Sequence, residues 1–321
     1  MKILIADSFP PAHRDALAAG GDAVAFEPNL DGDALAGALG ENEILIVRST
    51  KINAAMIDAA PRLKLIIRAG AGTNTIDKAH ARARGVRVCN VPGANSAAVA
   101  ELVLGLIIAL DRRIADNVAD LRAGRWRKKE YAKAQGLHGR AIGILGLGAI
   151  GAAVAQRAHA FGMRVGVVAK PVRSARTQRT IEAFDIAEAD STEALVARSD
   201  VITLHLPLTA DNAGLVDDDF LANMRDGAIL INTSRGELVD EAALIRAMDA
   251  RGIRAGLDVY RNEPASGEGA FESALANHPC VYGTHHIGAS TAQAQNAVAD
   301  GALRVIESYK QGDLLHCVNE S

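Results

Sequence analysis

Four short stretches of this 321-residue chain carry residue types that could do chemistry. The first is a glycine loop within Ala141-Ile-Gly-Ile-Leu-Gly146-Leu-Gly148-Ala-Ile-Gly151. An apolar strand runs into GxGxxG and then into a helical segment over 152–160. Glycines at this spacing let the backbone approach a pyrophosphate, and the helix N-terminus behind them faces its negative charge. A bare GxGxxG also occurs as a turn with no ligand; the order strand, glycines, helix makes the loop a dinucleotide site, with Gly146, Gly148, Ala149, Ile150 and Gly151 at the phosphates. The other three stretches, 231–236, 257–264 and 284–291, place polar residues just past strand-like runs, where α/β sheets hold their ligands.

The strand after the glycine loop ends at Val168-Ala169-Lys170-Pro171-Val172-Arg173. A carboxylate at Ala169 would hydrogen-bond a ribose 2′-hydroxyl and repel a 2′-phosphate. None is there, and Lys170 and Arg173 are types that a 2′-phosphate would favour. The cofactor is therefore NAD or NADP; the alternative to a 2′-phosphate site is that Lys170 and Arg173 are simply solvated loop cations.

These motifs need elements to hold them. Short β-branched runs at 2–6, 23–26, 43–47, 63–67 and 86–89 alternate with Ala-rich helical segments such as 11–19 and 52–60. Strand, helix, strand repeated in this way requires crossover connections, hence a parallel sheet covered on both faces. A helical stretch follows over 96–121. The pattern then restarts, with six further strands at 141–145, 165–168, 201–204, 228–231, 255–258 and 281–282. The tail, 290–310, reads as one amphipathic helix with Ala297, Ala302, Val305 and Ile306 on its apolar side. A single helix cannot form a domain and must pack on something already built.

Composition sets outer limits. With 49% hydrophobic and 23% charged residues the chain is globular, not disordered, collagenous or coiled-coil. Lys and Arg number 35 against 38 Asp and Glu, a net charge of −3, which gives no global case for nucleic acid or an anionic membrane as partner. The longest apolar run, 102–110, is far short of the ~20 residues of a membrane span, and the N-terminus has no signal-peptide pattern, so a cytoplasmic location is expected. Cys89, Cys280 and Cys317 are odd in number and far apart; neither a disulfide framework nor a metal site is expected, and all three read as buried apolar residues.

Taken together, Val47-Arg48-Ser49, Arg68-Ala-Gly70-Ala71-Gly72, Asn90-Val-Pro92, Ala100-Glu101-Leu, the glycine loop, Asn232-Thr-Ser-Arg235-Gly236, Asn262-Glu263-Pro264 and His286-Ile-Gly-Ala-Ser-Thr291 resemble the D-isomer-specific 2-hydroxyacid dehydrogenases, and among them the 3-phosphoglycerate dehydrogenases. The resemblance covers nearly the whole chain. It implies two doubly wound α/β domains, a Rossmann-type nucleotide domain over 99–288 inserted into a flavodoxin-like substrate domain made of 1–98 and 289–321. The tail helix would thus return to the N-terminal unit.

The resemblance also implies a catalytic set of Arg235, Glu263 and His286, types that 2-oxoacid reduction requires. A guanidinium can grip the substrate carboxylate bidentately and lean on the carbonyl oxygen. An imidazolium can deliver the proton as hydride reaches carbon, and a carboxylate beside the ring favours its charged form and fixes its orientation. Taken singly, each residue has a bland reading as a surface ion pair, a loop carboxylate or a structural histidine. His285 stands where the family usually has Pro, and His286 is preferred as the acid because it directly precedes Ile-Gly-Ala-Ser-Thr. Further cofactor contacts are implied at His205, Pro207, Thr233 and Asp258, the last toward the nicotinamide, with a helix-capping or turn role as the other reading of Asp258. Substrate contacts are implied at Arg48, Gly70, Ala71, Gly72 and Asn95, besides Arg235 and His286.

A cluster of seven Lys and Arg with one acid lies over 122–140. Such clusters are usually solvated, but the resemblance gives Lys128 and Arg48 to a substrate phosphate, implying 3-phosphoglycerate, with hydroxypyruvate or glyoxylate as the alternative. Asn74-Thr75 departs from the Asp-Asn of many relatives. The apolar residues Leu102, Val103, Leu106, Ile107 and Leu110 exceed what one sheet contact needs and imply a homodimer. The chain ends right after the returning helix, so a C-terminal serine-sensing domain is not expected. A dinucleotide-sensing corepressor on the same fold is the reading from a different functional class.

Overall fold

The computed structural model describes residues 1–264 and 269–320. The chain forms two compact units, one of Met1–Ser96 with Ala289–Ser321 and one of Ala97–Gly288.

The first unit is built on five parallel strands, β1 (Lys2–Ile5), β2 (Ala23–Phe26), β3 (Ile44–Val47), β4 (Leu65–Arg68) and β5 (Arg87–Asn90), in the order β2-β1-β3-β4-β5. This is the flavodoxin-like order. Side chains alternate across a strand, and both faces of this sheet are covered. Ile3 and Ile5, Ile44 and Ile46, and Leu65 and Ile67 pack into one core cluster, while Leu4, Leu45 and Ile66 enter the other. The tail helix Ala292–Lys310 supplies Val298, Ala299, Ala302, Val305 and Ile306 to the first cluster. Its Gly301 lies so close to Val91 that a Cβ there would stand 2.2 Å from a Val91 methyl.

The second unit holds seven parallel strands, β6 (Ala141–Leu145), β7 (Arg164–Val168), β8 (Ala187–Ala189), β9 (Val201–Leu204), β10 (Ile229–Asn232), β11 (Arg254–Leu257) and β12 (Val281–Gly283), in the order β12-β11-β10-β9-β6-β7-β8. The chain winds outward in one direction through β7 and β8 and in the other through β9 to β12. The switch point therefore lies between β6 and β9, where a ligand crevice opens beyond the carboxyl ends of the strands.

Several expectations change. The six strands foreseen here are seven, because β8 is a three-residue edge strand, Ala-Glu-Ala, with only Ala189 buried and so no apolar pattern to mark it. The helix expected over 96–121 is two, Ser96–Arg112 and Ile114–Arg122. Arg113 between them has a left-handed φ of 49° and bonds Asp116 and Glu130 through its guanidinium. Val103, Leu106, Ile107 and Leu110 are buried in their own unit, under its sheet, and so are not surplus surface for a partner. Of the three cysteines, Cys89 is buried but Cys280 and Cys317 are only half-buried. No helix among the described residues is long and apolar enough to cross a membrane.

The fit of the tail helix is testable. Gly301→Ala should lower stability by about 1–3 kcal/mol through overpacking against Val91, and Val91→Ala in that background should recover part of it. Urea midpoints of the wild type, the single and the double variant measure this; equal midpoints for wild type and Gly301→Ala would refute the close contact.

Candidate active site

Every loop of interest in the second unit leaves the carboxyl end of a strand. The glycine loop follows β6 and turns into the helix Ala149–Ala160, whose N-cap is Gly148 with no side-chain cap. Its first amides thus have no intrahelical acceptor and face outward. Gly146 has φ 103°, and a Cβ there would stand 2.3 Å from the His205 carbonyl oxygen; one at Gly151 would stand 2.0 Å from the Gly146 carbonyl oxygen. These two glycines are needed by the fold itself. Gly148 is different, since a Cβ there would meet nothing within 4 Å. Open space in front of uncapped amides suits a pyrophosphate.

Two buried polar atoms nearby lack a partner, His205 Nδ1 beyond β9 and Thr233 Oγ1 beyond β10. Burial pushes the His205 imidazole down to about 3, so the ring is neutral, and its Nε2 lies 2.9 Å from Thr203 Oγ1. Uncapped amides, open space at Gly148 and orphaned polar atoms fit a dinucleotide lying across the strand ends. Pro207, in the same loop as His205, is exposed.

Beyond β7, Ala169 donates its amide to the Ala189 carbonyl at 2.7 Å, and Lys170 is exposed. Arg173 is not a free cation. Its Nε and a terminal nitrogen reach Glu188 Oε1 at 3.1 and 2.7 Å, the guanidinium also bonds the Val168 carbonyl, and the side chain is 8% exposed. The expectation of two unpaired cations for a 2′-phosphate is thereby corrected, because Glu188 on β8 neutralises one of them.

The polar residues of the other loops converge. Glu263 accepts the Tyr260 amide on Oε1 at 2.8 Å and the His286 Nδ1–H on Oε2 at 2.7 Å. Burial raises the Glu263 carboxyl, but these two hydrogen bonds and the His286 and Arg235 charges outweigh it, so the group is held below its usual 4.5. It therefore stays ionised at neutral pH. With Nδ1 committed, His286 presents Nε2 outward from a side chain that is 53% exposed. His285 is exposed as well, yet Glu263 takes His286. The half-buried Arg235 donates to the Ser234 carbonyl, and Asn232 braces its turn through the Arg235 carbonyl and the Ser234 amide. Gly236 touches the chain at Tyr260, where a Cβ would stand 2.0 Å from the carbonyl carbon, and this close approach sets the Arg235 turn against the Glu263 loop.

Asp258 directly follows β11 and is 1% exposed. Its Oδ1 accepts the Thr284 hydroxyl at 2.6 Å and the Ile287 amide at 2.8 Å, its Oδ2 accepts the Gly288 amide at 2.8 Å, and its carbonyl accepts the His286 amide at 2.8 Å. His286, clamped between these bonds, has φ 51°. Of the two roles read from sequence, nicotinamide contact or turn residue, these bonds bear on the second: the carboxylate is turned into the histidine loop and anchors it.

The first unit carries its own set at the ends of β3 and β4. Asp7, which sequence reasoning missed, accepts the amides of Arg48, Ser49 and Thr50 on Oδ2 at 2.6, 3.1 and 3.1 Å. An acid just past the carboxyl end of β1 was the available signal. The Arg48 guanidinium makes two long contacts, at 3.4 Å, to the Ala289 carbonyl and Ser290 Oγ. Gly70 has φ 145°, and a Cβ there would collide with the Arg68 guanidinium. Asn90 holds the Ala71 carbonyl at 2.6 Å, Gly72 lies in the same turn, and Asn95 Oδ1 is buried without a partner. In the second unit, Lys128 opens a one-turn helix, Lys128–Tyr131, and is exposed, whereas Arg125 and Arg127 pair with Asp120. No cluster of His, Cys, Asp or Glu among the described residues could hold a metal ion.

Comparison with known proteins gives the family. Residues 104–288 match the family model described as D-isomer specific 2-hydroxyacid dehydrogenase, NAD binding domain. A hydroxypyruvate reductase from Thermotoga maritima is 39% identical over 272 residues, 84% of this chain and 85% of that protein. A D-3-phosphoglycerate dehydrogenase from Mycobacterium tuberculosis is 41% identical over 318 residues, 98% of this chain; the match spans only 57% of that relative's length. The crystal structure of a glyoxylate reductase from Paecilomyes thermophila superposes with a TM-score of 0.86 at 28% identity, covering 100% of this chain and 98% of that one.

The assignment of Asp258 as an anchor has a distinct signature. Asp258→Ala leaves two amides and a hydroxyl without their acceptor, each worth ~1–3 kcal/mol when buried. The thermal midpoint should fall, and single-turnover reduction should slow about 100-fold through misplacement of His286, while dinucleotide affinity by fluorescence titration stays within a few-fold of wild type. A large loss of affinity with the rate intact would instead make Asp258 a cofactor contact.

Proposed function

The chain belongs to the D-isomer-specific 2-hydroxyacid dehydrogenases, and from that premise we propose that it interconverts a small 2-oxoacid and its D-2-hydroxyacid, a bound nicotinamide dinucleotide supplying or accepting the hydride at C2. The observation that carries this reading is the 2.7 Å pair of His286 Nδ1 and Glu263, which leaves Nε2 as the atom for substrate. In reduction, Nε2–H donates to the carbonyl oxygen and passes its proton to the developing alkoxide; in oxidation, Nε2 takes the proton back. The ionised Glu263 accepts from Nδ1 and so fixes the ring's orientation and its proton on that side. Arg235 holds the substrate carboxylate and polarises the carbonyl. His286→Ala and Arg235→Ala should each lower reduction by ~100 to 10,000-fold with dinucleotide binding nearly intact. Activity retained in His286→Ala but lost in His285→Ala would overturn the assignment, and no turnover of any 2-oxoacid by the wild type would favour the corepressor-like reading.

As substrate we propose 3-phosphohydroxypyruvate and 3-phosphoglycerate, which would give the protein a role in serine biosynthesis. The mycobacterial relative supports this, as does the resemblance, which gives Arg48 and Lys128 to a substrate phosphate; the Thermotoga relative supports hydroxypyruvate or glyoxylate as the second reading. A panel of phosphohydroxypyruvate, hydroxypyruvate, glyoxylate and pyruvate separates them. Arg48→Ala should raise KM for the phosphorylated substrate at least about tenfold, since a charge-assisted contact is worth ~1.5–3 kcal/mol, and leave glyoxylate unchanged.

For the cofactor, Ala169 offers no carboxylate to the ribose, and Lys170 is the cation left for a 2′-phosphate, so use of both NADH and NADPH is expected. Ala169→Asp should shift the ratio of kcat/KM values toward NADH by about tenfold or more. Glu188→Gln should shift it the other way by releasing Arg173. A wild type already favouring NADH more than a hundredfold would mean that another group, with Glu188 the first candidate, reads the ribose.

A homodimer is proposed on a different surface from the one first suggested. Ile114, Val118 and Leu121 recur at helical spacing on Ile114–Arg122 and are 44%, 39% and 52% exposed, with Trp126 beyond them at 80%. Such a stripe marks an interaction face. Light scattering should give the mass of a dimer, and of a monomer for Leu121→Glu; a monomeric wild type at micromolar concentration would refute this.

A further inference from the structure

The tail beyond the last helix runs antiparallel to β5, the edge strand of the five-stranded sheet. The Asn90 amide donates to the His316 carbonyl at 3.2 Å, and the Val318 amide donates to the Val88 carbonyl at 2.8 Å. Between those two bonds, Cys89 and Cys317 stand directly opposite each other. A pair flanked by hydrogen bonds in this way is of the narrow kind, with Cα atoms ~4.5 Å apart and side chains on the same face. That lies within the ~4.4–6.8 Å a disulfide spans. The tail is also well seated. Asn319 is 5% exposed, accepts the Val88 amide at 2.9 Å and donates to the Val86 carbonyl at 2.9 Å.

We propose that Cys89 and Cys317 form a reversible modification site, a thiol pair that a disulfide oxidant converts into a covalent clasp holding the tail on the edge of the sheet. The two thiols have unequal access. Cys89 is 0% exposed, whereas Cys317 is half-buried and its Sγ donates to Asn319 Oδ1 at 3.3 Å. Burial pushes the Cys89 thiol up to about 12, and the facing Cys317 adds to this. Cys317 is therefore the thiol that an oxidant reaches, and Cys89 the one that resolves.

With oxidised glutathione the step balances. The Cys317 thiolate attacks one sulfur of the oxidant, forming a mixed disulfide and releasing one glutathione thiolate. Cys89, on losing its proton, attacks the Cys317 sulfur and releases the second. The two cysteines are oxidised by two electrons, glutathione disulfide is reduced to two thiols, and the two protons lost by the cysteines are taken up by the glutathione thiolates. Because burial holds the resolving Cys89 thiol protonated, clasp closure should quicken as pH rises from 7 to 9.

The test uses the full-length chain. Incubated with oxidised glutathione, it should lose two of its three free thiols on titration after denaturation, and non-reducing peptide mapping should show the segments of Cys89 and Cys317 joined, with Cys280 free. Cys89→Ser should stop at one glutathione held on Cys317, and Cys317→Ser should lose no thiol at either partner. Carboxypeptidase should remove the tail from the oxidised form at least about threefold more slowly than from the reduced form, an effect that dithiothreitol reverses. Three free thiols at equilibrium, a stable glutathione adduct on Cys317 in the wild type, a Cys280 linkage, or equal digestion of both forms would each overturn the proposal.

Discussion

The catalytic end of the second unit depends on one buried carboxylate. Asp258 sits at the carboxyl end of β11 and takes four protein hydrogen bonds from the loop after β12, three on its side chain and one on its carbonyl. A carboxylate so enclosed is stable only when its lone pairs are satisfied, and the loop satisfies them by wrapping around it. The wrap forces His286 into a left-handed conformation that a non-glycine residue seldom adopts. Strain of this kind persists where the surroundings over-determine it, and it is common at functional sites. The geometry that turns His286 toward Glu263 is thus a consequence of how Asp258 is buried.

The same logic joins the other loops. Gly236 lets the Arg235 turn touch the backbone at Tyr260, and the Tyr260 amide in turn donates to Glu263. Arginine, glutamate and histidine come from three separate strand ends, yet each is placed by a contact to its neighbour's loop. The glycine loop works by omission, since side chains are absent at Gly146 and Gly151 because the fold needs the space, while Gly148 leaves open space before the uncapped amides of the helix. Placing both features past the carboxyl ends of β6, β10, β11 and β12 follows from the parallel sheet, which delivers all of its strand ends to one side.

In the first unit, tertiary packing turns two distant pieces of sequence into one body. The tail helix buries Val298, Ala302, Val305 and Ile306 against β-strand side chains from the chain's start, and the residues beyond it cover the free edge of β5. An exposed edge strand is a template for unwanted pairing, and the tail removes it.

Much of the architecture was legible in the sequence, because its signals are local. Alternation of apolar runs with Ala-rich helices determined two parallel sheets, and the glycine spacing marked the loop at which a dinucleotide is expected. The resemblance brought the catalytic types, and with them the discontinuous first unit. Local signals fail where a residue's role depends on a partner far away. β8 has no apolar pattern because only one of its residues is buried, and Arg173 is neutralised by Glu188 of that strand. The helix breaks at Arg113 because ion pairs to Asp116 and Glu130 accompany a left-handed turn, with neither glycine nor proline to announce it. Asp258 reads in sequence as either a ligand contact or a turn residue, and only the fold shows the loop hydrogen bonds that it accepts; Cys89 meets Cys317 only once the tail has crossed back to β5. Sequence determined which elements form and which residue types stand at their ends. Only the tertiary structure decided which charges remain free, since neutralisation requires two groups within about 4 Å and nothing in their spacing along the chain encodes that.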